Sequence, residues 1–229
     1  MGRAVRQQLV LRNVCQLVDV PAKSKTEMQH LTREQAQVFL ASVAGDRLET
    51  LYVLVLATGA RQGELLGLRW EDVDLEADRL AVRHTLSRID GTLGEPKTAR
   101  GKRTVPLPPF VVASLREHRR HQLEQRLAAG RRWTDGGYVF TTRTGTALHS
   151  KNVLRDFQLA LERASLPRVR FHDLRHTAAT LALAQGVSIH EVSWMLGHAS
   201  IAITGDVYGH ATEASERRTA AAMQAALTG

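Results

Sequence analysis

A chain of 229 residues, 43% of them hydrophobic, is long enough to bury a full core in one domain or two, so a globular protein is expected. Lys and Arg number 31 against 23 Asp and Glu, a formal net charge of +8, and all but five of those cations are Arg. Because Arg presents a planar fork that binds phosphate bidentately, that balance favours nucleic acid as a partner over the bland reading of a mere solubility charge. One cysteine, Cys15, excludes an internal disulfide, and the longest apolar run, LYVLVLA at 51–57, is far short of a membrane span. With no secretory h-region at MGRAVRQQ either, a soluble, cytoplasmic protein is expected.

Residues 1–20 carry Val5, Leu9, Val10 and Val14 at helical spacing and end before Pro21, which predicts one helix, and the polar PAKSKTEMQH of 21–30 reads as a linker. Thr32 and Gln35 stand in capping-box spacing ahead of an apolar face of Ala36, Phe39, Leu40 and Val43. LETLYVLVLATG is apolar nearly all round and stops at Gly59, so it reads as a central buried helix, with a short new helix in ARQGELLGLRW. From Arg79 to Leu107 the period changes. RLAVRHTL alternates, IDGTLGEP is turn-rich, and KTARGKRTVPL looks like two strand ends joined through Arg100 and Gly101, together a small antiparallel sheet. Two amphipathic helices follow, the second with Val153, Phe157 and Leu161 in line, separated by a short strand or loop in YVFTTRTGTAL. HDLRHTAATLALAQG closes at Gly186, SIHEVSWMLG has a Ser188–Glu191 capping box and closes at Gly197, and the Ala-rich 211–228 forms one more helix.

His172 and His176 stand four apart beside Asp173, which raises the zinc-hydrolase spacing HExxH, but Arg175 in the same turn would repel a dication and no third ligand follows at short spacing. Phosphate chemistry fits better, since Arg61 at the break after Thr58 and Gly59, Arg175, and His198 just past Gly197 are cations or donors at element boundaries. Of the three tyrosines, Tyr52 and Tyr138 lie in core-like segments, which leaves Tyr208 in polar surroundings. His176 and His210 read as supporting residues, Asp173 as an offset to its helix dipole, and Glu64 either as an orienting group or as a solvated helix residue.

TGARQGELLGLRW, PKTARGKRTVPL, FHDLRHTAATLAL and WMLGHASIAITGDVYGH, in that order over roughly residues 31–215, resemble the tyrosine recombinase (phage integrase) family. Each is weak alone; four in order are highly specific. The resemblance implies an α+β, mainly α-helical catalytic domain with a small antiparallel three-stranded sheet. It implies an active site of Arg61, Lys97, His172, Arg175, His198 and Tyr208, with Tyr208 as nucleophile, a 3′-phosphotyrosyl intermediate, and no metal or nucleotide cofactor. Residues 1–20 are then the last helix of an otherwise absent N-terminal DNA-binding domain, 21–30 a linker, 31–210 the catalytic domain, and 211–229 a C-terminal helical tail docking in cis or on a neighbouring subunit. The implied partners are double-stranded DNA at attachment sites, other copies in a homotetramer on DNA (a monomer when free), and an accessory directionality factor, in a nucleoid-associated bacterial or phage protein that integrates or excises a mobile element.

Elementary chemistry agrees with those roles. A phenol with a pKa of about 10 needs a base or concentrated positive charge to attack at neutral pH, which His172 and the cations supply. Arg61 and Arg175 can each donate two hydrogen bonds to nonbridging oxygens, and Lys97 on a hairpin tip, with Lys102 as its nearest rival, can protonate the leaving alkoxide. Three other readings share parts of this set: a type IB topoisomerase-like enzyme cleaving without strand exchange, a DNA-binding module that has lost catalysis, and a zinc hydrolase.

Overall fold

The computed structural model describes residues 2–13, 29–96, 99–198, 200, 204–205 and 223–224. Its first helix, α1, covers only Gly2–Arg6, and turns and bends follow to residue 12, with Gln8 at a left-handed φ of 55°. The single helix expected over 1–20 is therefore not what residues 2–13 form: Leu9 and Val10 are 72% and 36% exposed, and among the described residues their apolar stripe is left uncovered, which does not hold a helix in water. Residues 14–20 lie outside the described residues.

Helix α2, Arg33–Ser42, starts at the expected capping box: Thr32 Oγ1 accepts from Gln35 N at 3.2 Å, and Gln35 Oε1 accepts from Thr32 N at 2.9 Å. Helix α3, Glu49–Thr58, is the centre of the molecule, buried from Thr50 to Val55, and it packs against α5 (Pro109–Ala129) and α7 (Asp173–Ala184). Its neighbours α4 (Gln62–Leu66) and α6 (Ser150–Arg163) complete the layer around it. Phe39 from α2, Tyr52 from α3, Phe157 from α6 and Phe171 before α7 form one aromatic cluster, with Phe39 and Phe157 edge-to-face at 5.6 Å and Phe157 and Phe171 at 5.5 Å. Removing a ring from such a cluster costs about 3–5 kcal/mol, so these four residues tie α2, α3, α6 and the turn before α7 together. Helix α8, Ile189–Leu196, opens with the expected box, Ser188 Oγ accepting from Glu191 N at 3.2 Å.

The three-stranded antiparallel sheet runs in the order β1 (Val73–Asp74), β2 (Arg79–Val82), β5 (Arg103–Pro106), with Leu80 opposite Val105 and Val82 opposite Arg103. The stretch 79–86 is not one strand. It breaks at Arg83 and His84, whose side chains turn to buried Asp72 at 3.4 and 3.3 Å, and β3 (Thr85–Leu86) pairs instead with β4 (Leu93–Gly94) in a separate hairpin. Ala99–Gly101 forms a 3-10 turn leading into β5, whose alternate residues Arg103 and Val105 face inward. Tyr138 is half-buried with Arg69 over its ring at 5.7 Å, so of the two tyrosines expected in the core only Tyr52 is there. Among the described residues no helix is long and apolar enough to cross a membrane.

Candidate active site

The site lies where the C-terminal ends of α3 and α8 meet over α7. Both helices end in a left-handed glycine, Gly59 at φ 61° and Gly197 at φ 66°. A helix end leaves carbonyls without intrahelical partners and carries partial negative charge, and Arg175 answers both needs. Its Nη1 donates to Gly59 O and its Nη2 to Leu196 O, each at 2.6 Å, with only 2% of the residue exposed. Glycine is required at 59 for space as well as conformation, because a Cβ there would run into Leu196.

Arg61 precedes the first turn of α4, placed there by the Gly59 break. Glu64, three residues on and 4% exposed, reaches back so that its Oε2 accepts from Arg61 N at 2.9 Å and its Oε1 from Arg61 Nη1 at 2.9 Å. The Arg61 side chain stays 42% exposed and lines the cleft. Glu64 also pairs with Arg103, whose Nη2 donates to Oε2 at 3.0 Å. Burial pushes the Glu64 carboxyl up, but the hydrogen bond and charge of Arg103, followed by those of Arg61, outweigh it and hold the group below the ordinary glutamate range.

His172 is the residue before α7 rather than a member of it, and its exposed side faces the cleft. His172 and His176 rings touch edge-to-face at 5.1 Å, as a packed pair. Partial burial, followed by the nearby His176 and Arg175, lowers the His172 pKa to about 4. Burial, then Arg175 and Arg61, does the same for His198, also to about 4, and burial lowers His176. Both His172 and His198 are therefore neutral at pH 7. His198 Nδ1 lies 2.8 Å from the Oγ1 of fully buried Thr204; with the threonine hydroxyl as donor, the imidazole proton sits on Nε2, free to donate to an oxyanion.

A cleft of about 1440 Å³ runs past this cluster, with Arg61, Arg88, Arg168, Arg170, His172 and Arg175 among its lining residues. Asp173, expected as an offset to the α7 dipole, does more: its buried carboxylate accepts from Arg170 N at 2.7 Å and from Arg170 Nη2 at 2.8 Å, fixing the turn that presents His172. The structure thus brings Arg61, His172, Arg175 and His198 of the expected set together. Lys97 and Tyr208, and also His210, lie outside the described residues. Lys102, the rival of Lys97, is paired with Glu95 at 2.8 Å. Among the described residues no group of three or more His, Cys, Asp or Glu comes together as a metal site. Two contributors escaped the sequence reading. Arg103 had a signal, an arginine alternating with Val105 on the inward face of a strand; Thr204 had none.

The model of the phage integrase family matches residues 26–215. The chain belongs to the phage integrase family. Within that family, a tyrosine recombinase XerC-like protein of Caldanaerobacter subterraneus subsp. tengcongensis is 37% identical over 202 residues, 82% of this chain and 52% of the relative. An integrase of Streptomyces ambofaciens is 34% identical over 223 residues, 90% of this chain and 55% of the relative. The chain spans about half the length of these curated relatives. Among solved structures, the Tn1549 transposon integrase in complex with transposon right end DNA matches with a TM-score of 0.71 at 25% identity, covering 95% of this chain and 71% of that one. The XerA recombinase matches with a TM-score of 0.67 at 27% identity, covering 90% and 70%. The α+β fold, helical around a small antiparallel sheet, is that of phage integrase catalytic domains.

Proposed function

We propose that this chain cleaves and rejoins double-stranded DNA at specific sites, as an integrase serving the integration or excision of a mobile element. The observation that carries the reading is the convergence of Arg61 and Arg175 with neutral His172 and His198 beside an arginine-walled cleft. In this mechanism the Tyr208 oxygen attacks phosphorus and its proton passes to neutral His172. The P–O5′ bond breaks, Lys97 protonates the departing 5′ oxygen, and the chain is left bonded to a 3′ phosphate. A 5′-hydroxyl of a partner strand then attacks that bond and returns the electron pair to Tyr208. Arg61 and Arg175 hold the nonbridging oxygens with His198 Nε2 as a further donor, interactions that strengthen as charge builds in the transition state.

The same reading has four copies assembling on attachment-site DNA from free monomers, with an accessory factor setting direction, in the cytoplasm at the nucleoid. Names of similar proteins support DNA as the partner, since the Tn1549 integrase was solved with transposon DNA. The test is incubation with a pool of nicked duplexes of random sequence in EDTA, followed by a denaturing gel for a covalent protein–DNA adduct and sequencing of the trapped DNA. The expected result is an adduct with a shared site in the recovered DNA and none with Tyr208→Phe. An adduct that persists in Tyr208→Phe removes the nucleophile, and one that EDTA abolishes removes the metal-free mechanism. A relaxed plasmid without strand exchange between duplexes assigns topoisomerase-like chemistry instead.

A further inference from the structure

Arg103, unlike Arg175, is not among the residues that line the cleft: its side chain is 2% exposed, on the inward face of β5. It joins three parts of the site. Nη2 and Nη1 donate to the two Glu64 oxygens at 3.0 and 3.3 Å, Nη1 also to Gly101 O at 3.2 Å, and Nε to Met195 O at 2.7 Å in the last turn of α8. A Cβ on Gly197, next to His198, would stand 2.9 Å from both Arg100 O and Arg103 Nη1, so the turn before β5 is seated directly on the α8 terminus. Stability alone does not call for this arrangement. A buried ion pair is commonly matched or bettered when both partners are replaced by apolar residues of similar volume, and apolar Val105 fills the equivalent inward position one pleat away. What an apolar residue would not do is aim a carboxylate at Arg61 while holding the carbonyl beside the His198 turn.

We infer that Arg103 is a positioning residue for DNA cleavage, acting through Glu64 on Arg61 and through the α8 terminus on His198. The inference rests on the recombinase reading. Because the fork geometry is what links the three elements, lysine is a poor substitute.

The experiment uses the full chain and a duplex recovered from the trapped pool, with wild type and Tyr208→Phe alongside. Arg103→Met is expected to keep cooperative unfolding and near wild-type DNA affinity while its adduct forms about 10²-fold more slowly, the scale of loss when a clamp shifts by about 1 Å. Arg103→Lys recovers part of that rate, and Arg103→Ala recovers it on addition of methylguanidinium, which a general loss of structure would not show. Wild-type rate in Arg103→Met, a loss of DNA affinity equal to the loss of rate, or no response of folded Arg103→Ala to methylguanidinium overturns the assignment. A readout without DNA separates it from the recombinase reading. The Arg61 Nη–H signals in nitrogen-15 NMR are expected to exchange slowly in wild type, where Glu64 accepts from Nη1, and to lose that protection in Arg103→Met. Unchanged protection overturns the positioning role even if no adduct ever forms, whereas a wild type that forms no adduct overturns the recombinase reading alone.

Discussion

The two arginines of the site are held in opposite ways. Arg175 is 2% exposed and clamped by two backbone carbonyls at helix ends, so its position is set by the fold itself. Arg61 is 42% exposed on its side chain and held by one carboxylate, which in turn depends on Arg103. The first can move only if α3 or α8 moves; the second moves with a side chain. One half of the clamp is therefore architecture and the other is adjustable, and substitutions should separate them.

Arg175→Ala carries the largest expected effect. It leaves Gly59 O and Leu196 O without their donor in a buried place, at about 1–3 kcal/mol each, and removes a charge from the transition state. Urea unfolding should show a loss of about 2–5 kcal/mol and the adduct should fall below detection; a variant as stable as wild type would break the contrast. Arg61→Ala should lower adduct formation by about 10²–10³-fold, the scale of losing one preorganised donor, with an unchanged unfolding midpoint. A large loss of stability there would make Arg61 as structural as Arg175.

The same contrast explains what the sequence disclosed. Helix boundaries with a chemical signature were legible: the Thr32 and Ser188 boxes and the Gly59 and Gly197 stops appear where the residues put them. Arg61, His172, Arg175 and His198 were named through the family resemblance, and the fold gathers them around the ends of α3 and α8. Arg103 was missed although it alternates with Val105 on the inward face of a strand, because the partner that explains a buried arginine, Glu64, is brought across from α4 only by the fold. The break of 79–86 into two strands was hidden for the same reason, its cause being Asp72 twelve residues before His84. Over residues 2–13 the apolar stripe misled because periodicity reports a face, and a face makes a helix only where something covers it.

Glu64→Gln sharpens the adjustable half. It keeps the shape but turns an amide N–H towards one of two guanidinium groups, so adduct formation at pH 7 should drop about tenfold, less than for Arg61→Ala, with Arg175 untouched. Stability gives a second readout. The folded carboxyl titrates below the unfolded value of about 4.3, so its contribution is complete above that pH and is lost as the pH falls through the lower, folded value. Urea midpoints of wild type should therefore decline below about pH 4.3 more steeply than those of Glu64→Gln, and parallel curves would remove Glu64 from the acid limb.

The smallest effect concerns the histidines, which burial, aided by both arginines, keeps neutral. With folded values of about 4 and unfolded values of about 6.5, the unfolded chain takes up protons first as pH falls, so stability is flat above pH 7 and declines from about 6.5 towards 4. Proton NMR titration of His198 tells the two halves apart, because Arg175 precedes Arg61 among the charges that lower it. In Arg61→Ala its midpoint should rise only slightly above about 4, the buried Arg175 and the burial of the ring still acting. A rise to the ordinary 6.5 would mean that the exposed arginine, and not the one locked into the helix ends, sets the electrostatics of the site.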